Sequence, residues 1–355
     1  MIHYHFRYQQ TYVLNLLNNL IRRVFTRNLF ISSKLSKTVL LVLALLLLSS
    51  SWNVQANGKK ARASNRSDVI MLQPSPAINY VRPTLLYGKN INSWPYAGPA
   101  DIWNPDKGFS VQSIDPDLYY LNFPTTGMEG LYFDLLITDI RPEELKWKPV
   151  EEGGIRVTVT NVRANKWWLP DEDRGQIVAR VELSNPSRQL RLPARIELVG
   201  RDINTDDEVV KYGFVLQKWF GKSDGRGTYE NQLNYCRWNA LLGSGYRMAK
   251  LRELTNAKCG VINFFPCING IDNKFASSPS GFNYQRRIGE GFLAEWGPIE
   301  EYYNDWFDYV WVSEAAEPSF GGREEQFIVS ARTGGVGTKE KSKWTAISGV
   351  ICIHY

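Results

Sequence analysis

Histidine is nearly absent from this 355-residue chain, which has only His3, His5 and His354. Two lie at the extreme N-terminus and the third is the penultimate residue. Ser-His-Asp and Cys-His arrangements need a positioned base, and a chain end holds one poorly. Metal centres built from several histidines are excluded on the same count. There is no GxxxxGK[ST] phosphate loop and no GxGxxG opening a helix after a strand. No CxxC pair is present, so a zinc-ribbon site has no ligand spacing to use. The acidic clusters Asp171-Glu172-Asp173 and Asp206-Asp207-Glu208 contain enough carboxylates for a glycosidase pair. Each sits among Pro, Asn or Gly, however, and reads as a solvated turn. The sequence predicts a protein that is not an enzyme, with no obligatory metal and no cofactor.

An excess of one charge is also missing, although the net charge of +6 hides this. Residues 1–56 carry Arg7, Arg22, Arg23, Arg27, Lys34 and Lys37 and no acid. Setting those six aside leaves 36 basic against 36 acidic residues. A nucleic-acid binder keeps a basic excess in its folded part, so no nucleic-acid partner is expected.

Long apolar runs are scarce too. One stands out, Thr38-Val-Leu-Leu-Val-Leu-Ala-Leu-Leu-Leu-Leu48, after a basic stretch and before Ser49-Ser-Ser51 and Val54-Gln-Ala56. This is the order of a signal peptide, with cleavage expected after Ala56. The run is far short of the roughly 20 residues that span a bilayer. An exported mature protein is therefore expected.

Export makes the four cysteines legible. Cys236, Cys259, Cys267 and Cys352 all follow the leader. An even number in an oxidising compartment suggests disulfides, and four cysteines allow three connectivities. The nested arrangement, Cys236–Cys352 around Cys259–Cys267, ties an expected helix to the last expected strand and closes the short loop 260–266. Four buried free thiols are the alternative.

Patterning divides the rest. Residues 57–109 are rich in Pro, Asn and Gly and read as an extended N-terminal segment with one short strand near Ile78–Val81. Trp94, Tyr96 and Trp103 are placed to pin it to its neighbour. Residues 110–204 alternate as strands: 130–137, 155–160, 177–183 and 194–199, with Ile155, Val157 and Val159 on one face. Turn signals between them predict an Ig-like antiparallel β-sandwich. Residues 205–355 change character. A helix is expected over 228–241, with Thr228 as N-cap and Tyr229, Leu233, Cys236 and Ala240 inward. A second is expected over 249–257 with Leu251 and Leu254 inward. Short strands follow at 309–312, 326–330 and 349–353. The fold class is α+β.

Several of these segments coincide with linked motifs. Phe123-Pro-Thr-Thr-Gly-Met128 precedes Glu129-Gly-Leu-Tyr-Phe133. Downstream stand Tyr235-Cys236, Gly245-Tyr-Arg247 and Glu253-Leu-Thr-Asn-Ala257. Then come Ser277-Ser-Pro279, Gln285–Gly289, Gly291-Phe-Leu-Ala-Glu-Trp-Gly297, Val310-Trp-Val-Ser313 and Cys352. Over about residues 110–355 the chain resembles the adhesion domain at the tips of invasin/intimin-like bacterial adhesins. Met248-Ala249 departs from that family's Leu-Pro, and Cys259 and Cys267 are additional to its pattern. The resemblance implies a C-type-lectin-like domain over 205–355. It also implies a non-catalytic adhesin or interaction protein, secreted or at the cell surface of a Gram-negative bacterium. Its partner would be a host cell-surface glycan or protein. A secreted effector or regulator presented by a separate intimin-like outer-membrane barrel protein, a translocator, is the alternative.

Within that reading the expected receptor-binding residues are Arg286, Arg287, Trp296, Tyr302, Tyr303 and Trp306. Tyr and Trp offer flat apolar area with a hydrogen-bonding tip. Paired arginines can clamp a carboxylate, such as that of a sialic acid, in a bidentate fork. Trp296, beside Gly297 and near Phe292, also has the surroundings of a core residue, and one arginine is expected to pair with Glu290 or Glu295. The Asn304-Asp305 and Glu317-Pro-Ser319 elements stand in the wrong order for a calcium lectin.

Overall fold

Runs that alternate apolar and polar residues become strands here, and the fold is mostly β with several antiparallel sheets and few helices. The computed structural model describes residues 75–91, 94–187, 189–223, 225–238, 242–258, 283–303, 308–316, 324–342 and 348–354. The expected leader, the Cys259–Cys267 pair and Trp306 lie outside the described residues.

The first sheet runs β4 (Trp103–Asn104), β5 (Gly108–Ser110), β1 (Ala77–Arg82), β7 (Tyr132–Thr138), β11 (Ile177–Ser184), β10 (Ile155–Arg163), β9 (Val150–Glu152). All its pairings are antiparallel. A smaller antiparallel sheet of β13 (Glu208–Leu216), β12 (Ala194–Asp202) and β8 (Leu145–Trp147) packs against it. Phe133 of the first sheet meets Tyr212 and Phe214 of the second, with ring centroids 6.1 and 5.9 Å apart. Ile155, Val157, Val181, Leu183, Ile196 and Leu198 fill the space between, while Val159 is only half-buried. Each such side chain contributes about 1.5–3 kcal/mol when fully buried. A two-residue ladder of β2 (Asn90–Ile91) and β3 (Trp94–Pro95) lies outside these sheets.

Two expectations need correction here. Residues 77–110 are not an extended segment: β1 pairs with β7 inside the first sheet, and Val81, Trp103 and Phe109 are buried. Strands of two or three residues between Pro and Gly turns leave no readable period, so burial of Trp103 and Phe109 settles the matter instead. Nor does the chain divide between 204 and 205. Thr205-Asp206-Asp207 is the turn of the β12–β13 hairpin, with Asp206 at φ 65° and the Asp202 carboxylate accepting from Asn204 and Thr205 N–H at 2.7 and 2.9 Å. The polar cluster there is a solvated turn, as its composition suggests, but it joins two paired strands.

A third sheet runs β18 (Val336–Glu340), β17 (Glu325–Ser330), β16 (Tyr309–Ala315), β19 (Ser348–His354), β14 (Lys218–Lys222), β6 (Thr126–Met128). β15 (Tyr246–Met248) pairs with the far end of β19. β19 is parallel to β16 and antiparallel to β14, and β6 lies parallel to β14 at the edge.

Helix α1 (Tyr229–Trp238) packs on this sheet. The Thr228 hydroxyl accepts from Asn231 N–H at 3.3 Å, the N-cap contact expected of it. The buried stripe is Tyr229, Gln232 and Cys236, with Leu233 half-buried. Gln232 goes inward because its amide donates to the Gly225 carbonyl at 3.1 Å. Cys236 bonds to Cys352 of β19, 116 residues on, with Cα atoms 5.4 Å apart. The second expected helix is a single turn, α2 (Leu251–Leu254), with both leucines buried. Thr255 turns extended, and its hydroxyl donates to the Gly334 carbonyl at 2.9 Å, which stops the helix. A third short helix, α3 (Phe292–Trp296), is wholly buried.

Candidate functional site

Two of the side chains expected to face a receptor, Arg286 and Trp296, are buried, and Arg287, Tyr302 and Tyr303 are half-buried. Arg286 is 0% exposed. Its guanidinium donates to the carbonyls of Thr84, Leu86 and Glu295 at 2.5, 3.0 and 2.8 Å and lies 4.7 Å from the Trp103 ring centroid. Among the described residues no carboxylate pairs with it, and burial lowers its pKa. Gly297, at φ 74°, lets it pass: a Cβ there would stand 2.1 Å from an Arg286 terminal nitrogen. Arg287 is tied to Gln285 at 3.0 Å and to Glu290 at 3.8 Å. The anticipated arginine fork is therefore not formed. One arginine does pair with Glu290, but Arg286 bonds the Glu295 carbonyl and not its carboxylate.

Trp296 is also 0% exposed, and its indole N–H donates to the Thr126 carbonyl and hydroxyl at 3.0 and 3.1 Å. Next to it the Glu295 carboxylate is fully buried. It accepts from the N–H of Thr125, Thr126 and Gly289 and from both threonine hydroxyls, at 2.5–3.2 Å. Burial nevertheless raises its pKa against these donors. Two motifs 170 residues apart in sequence thus form one hydrogen-bonded network. Tyr302 is half-buried: its hydroxyl donates to the Trp296 carbonyl at 3.2 Å and accepts from Thr84 N–H at 2.9 Å.

Among the expected residues that are described, Tyr303 lines a cleft. The cleft has a volume of about 510 Å³ and lies between the third sheet, α1 and the turn at Asn185–Pro186. Such volumes fall within the roughly 300–1,000 Å³ of small-ligand sites. Its floor follows from strand register. Trp219, His354 and Tyr246 are direct neighbours across β14, β19 and β15, and Gly221, Cys352 and Met248 are the next row on the same face. Trp219, Gly221 and Tyr246 line the cleft. Gly221 makes room, since a Cβ there would stand 2.5 Å from Leu242. Cys352 on this face anchors α1 through its disulfide, which brings Tyr235 to the wall.

The lining mixes aromatic and charged groups. Lys222 lies 5.6 Å from the Tyr303 ring centroid. The Tyr303 hydroxyl donates to the Glu129 carbonyl, while the Glu129 carboxylate accepts from Asn185 N–H at 2.6 Å. Tyr235 donates to the Lys222 carbonyl at 3.2 Å. Burial first, then the nearby Glu129 charge, push the Tyr246 hydroxyl up to about 12. His354 packs edge-on to Tyr246 at 5.2 Å, and burial lowers its pKa. Among the described residues no group of three or more His, Cys, Asp or Glu side chains gathers as metal ligands would.

Tyr235 and Tyr246 stand within the Tyr-Cys and Gly-Tyr-Arg motifs, but nothing in the sequence marks them as cleft residues. Glu129 and Lys222 carry no sequence signal of their own. Strand register places Lys222 and Tyr246, the disulfide holds the helix that carries Tyr235, and Glu129 follows directly on β6.

No protein-family profile and no curated protein matches the chain. Among solved structures, the crystal structure of invasin, a bacterial integrin-binding protein, is similar in fold, with a TM-score of 0.42 and 13% sequence identity. The match covers 80% of this chain and 40% of that one, so the chain spans less than half of invasin's length in that structure.

Proposed function

We propose that this chain is an exported, non-catalytic adhesin. On this reading the first two sheets form an Ig-like sandwich, and the third sheet with its helices forms a C-type-lectin-like tip. Cleavage follows Ala56, and the mature protein binds a host cell-surface glycan or protein. One observation carries the reading. The motifs on which the resemblance rests, Thr125-Thr126 and Glu295-Trp296, are buried against each other. Their contact joins the two parts of the molecule that this reading distinguishes. The Cys236–Cys352 bridge, which suits an oxidising compartment, supports the same reading.

Binding of the purified, secreted full-length protein to cultured host cells tests it, with a heat-unfolded sample as control. Saturable binding supports the proposal. Substrate turnover by the protein, or a mature polypeptide kept reduced in the cytosol, overturns it. Capture of a bacterial outer-membrane barrel without any host-cell binding favours the presented-effector alternative.

A further inference from the structure

The cleft beside α1 is open, aromatic and balanced in charge, and next to it stands an unexplained tryptophan. Trp238 is 79% exposed. It lies three residues after Tyr235 on α1, and positions three apart share a helix face. Tyr235 lines the cleft, as does Leu242, the next described residue after Trp238. Trp238 therefore lies in sequence between two cleft-lining residues and about one helical turn beyond Tyr235. Large aromatic side chains left in water beside a cavity are typical of recognition surfaces.

The polar groups narrow the ligand. Glu129 and Lys222 both line the cleft, so a ligand of either fixed charge meets its like. Glu129 can accept and Lys222 can donate. The Tyr246 hydroxyl has no hydrogen-bond partner among the described residues and can do both. A sugar hydroxyl also donates and accepts, and the C–H face of a pyranose stacks on an aromatic ring. We propose that this cleft binds a neutral oligosaccharide, with Trp238 and Tyr303 as stacking platforms and Tyr246, Glu129 and Lys222 as hydroxyl partners. The inference rests on the adhesin reading and deepens it. It also replaces the acidic sugar that the arginine pair suggested, because Arg286 is out of reach.

Titration calorimetry on the full-length protein tests this with lactose, maltotriose, chitotriose and 3′-sialyllactose. A neutral sugar is expected to bind in preference to the sialylated one. Binding of lactose places the ligand on a host surface, and binding of chitotriose on a bacterial wall; either supports the cleft. Trp238→Ala is expected to weaken binding about tenfold, the worth of one aromatic platform, without changing the melting temperature. Tyr246→Phe, which keeps the ring, is expected to weaken it by a smaller factor of about five, the worth of one hydrogen bond. Three results overturn the inference: no binding of any neutral sugar by protein that still binds cells, preference for 3′-sialyllactose, or unchanged affinity in both variants. The first of these leaves the adhesin reading intact. Protein that binds neither sugar nor cell ends both.

Discussion

The Glu295 carboxylate accepts two hydrogen bonds from Thr126, one from its main-chain N–H at 3.0 Å and one from its hydroxyl at 2.5 Å. Removing the acceptor strands two buried N–H groups, those of Thr125 and Thr126, and the two buried threonine hydroxyls. Glu295→Ala is expected to cost about 3 kcal/mol or more, read as a lowered urea midpoint. The pH dependence has a definite sign. Burial holds the folded pKa of Glu295 above its unfolded value, so this group stabilises most in acid. Its contribution falls as pH rises through the folded pKa. Measured against Glu295→Gln, the wild-type advantage should shrink from the ordinary carboxylate range upward. A growing advantage would mean that the donors outweigh burial.

Glu253 titrates the other way. Burial works to raise its pKa, but the Arg247 hydrogen bonds at 2.6 and 2.8 Å, the Lys250 N–H and the Arg247 charge lower it further. Its contribution is present above the unfolded carboxylate pKa and is lost as pH falls through the folded value. Glu253→Gln is expected to cost about 1–2 kcal/mol at pH 7 and to flatten the acid side of the stability profile. Denaturant melts between pH 3 and 7 give the comparison.

The Cys236–Cys352 bridge closes a loop with a sequence separation of 116. Chain-entropy reasoning credits such a closure with about 5 kcal/mol. Cys352→Ser is expected to lose that much and to release α1 from the cleft wall. Reduction of the wild type should reproduce the loss in thermal melts, and equal stability with and without reductant would show that packing alone holds the helix.

Arg286, buried and bonded to three carbonyls, is expected to serve the framework and not a receptor contact. Arg286→Lys keeps the charge but loses the planar fork that reaches three carbonyls, and about 3 kcal/mol of stability with it. Affinity for cells, measured well below the melting temperature, should be unchanged. A selective loss of affinity with stability intact would return Arg286 to the binding surface.

The sequence made the long strands legible because their side chains alternate over six or more residues and one face is buried, as at Ile155 and Val157. It made α1 and its cysteine legible through helical spacing and the Thr228 cap. Strands β4 and β5, with two and three residues, are too short to show a period. Residue type is what singles out the six expected receptor residues in the sequence, and type does not distinguish a binding arginine from a buried one. Arg286 is buried because Gly297 lacks a side chain and Thr84 and Leu86 present carbonyls, facts of tertiary structure that no local pattern carries. The cleft was hidden for the same reason, since its walls come from residues as distant as Glu129 and Tyr303.

Strand β6 covers the outer edge of β14 with three residues supplied from the other half of the molecule. Without that cover the main chain at Lys218–Phe220 would stand open, ready to recruit a strand from a second copy. Strand β6 therefore shields that edge against self-association.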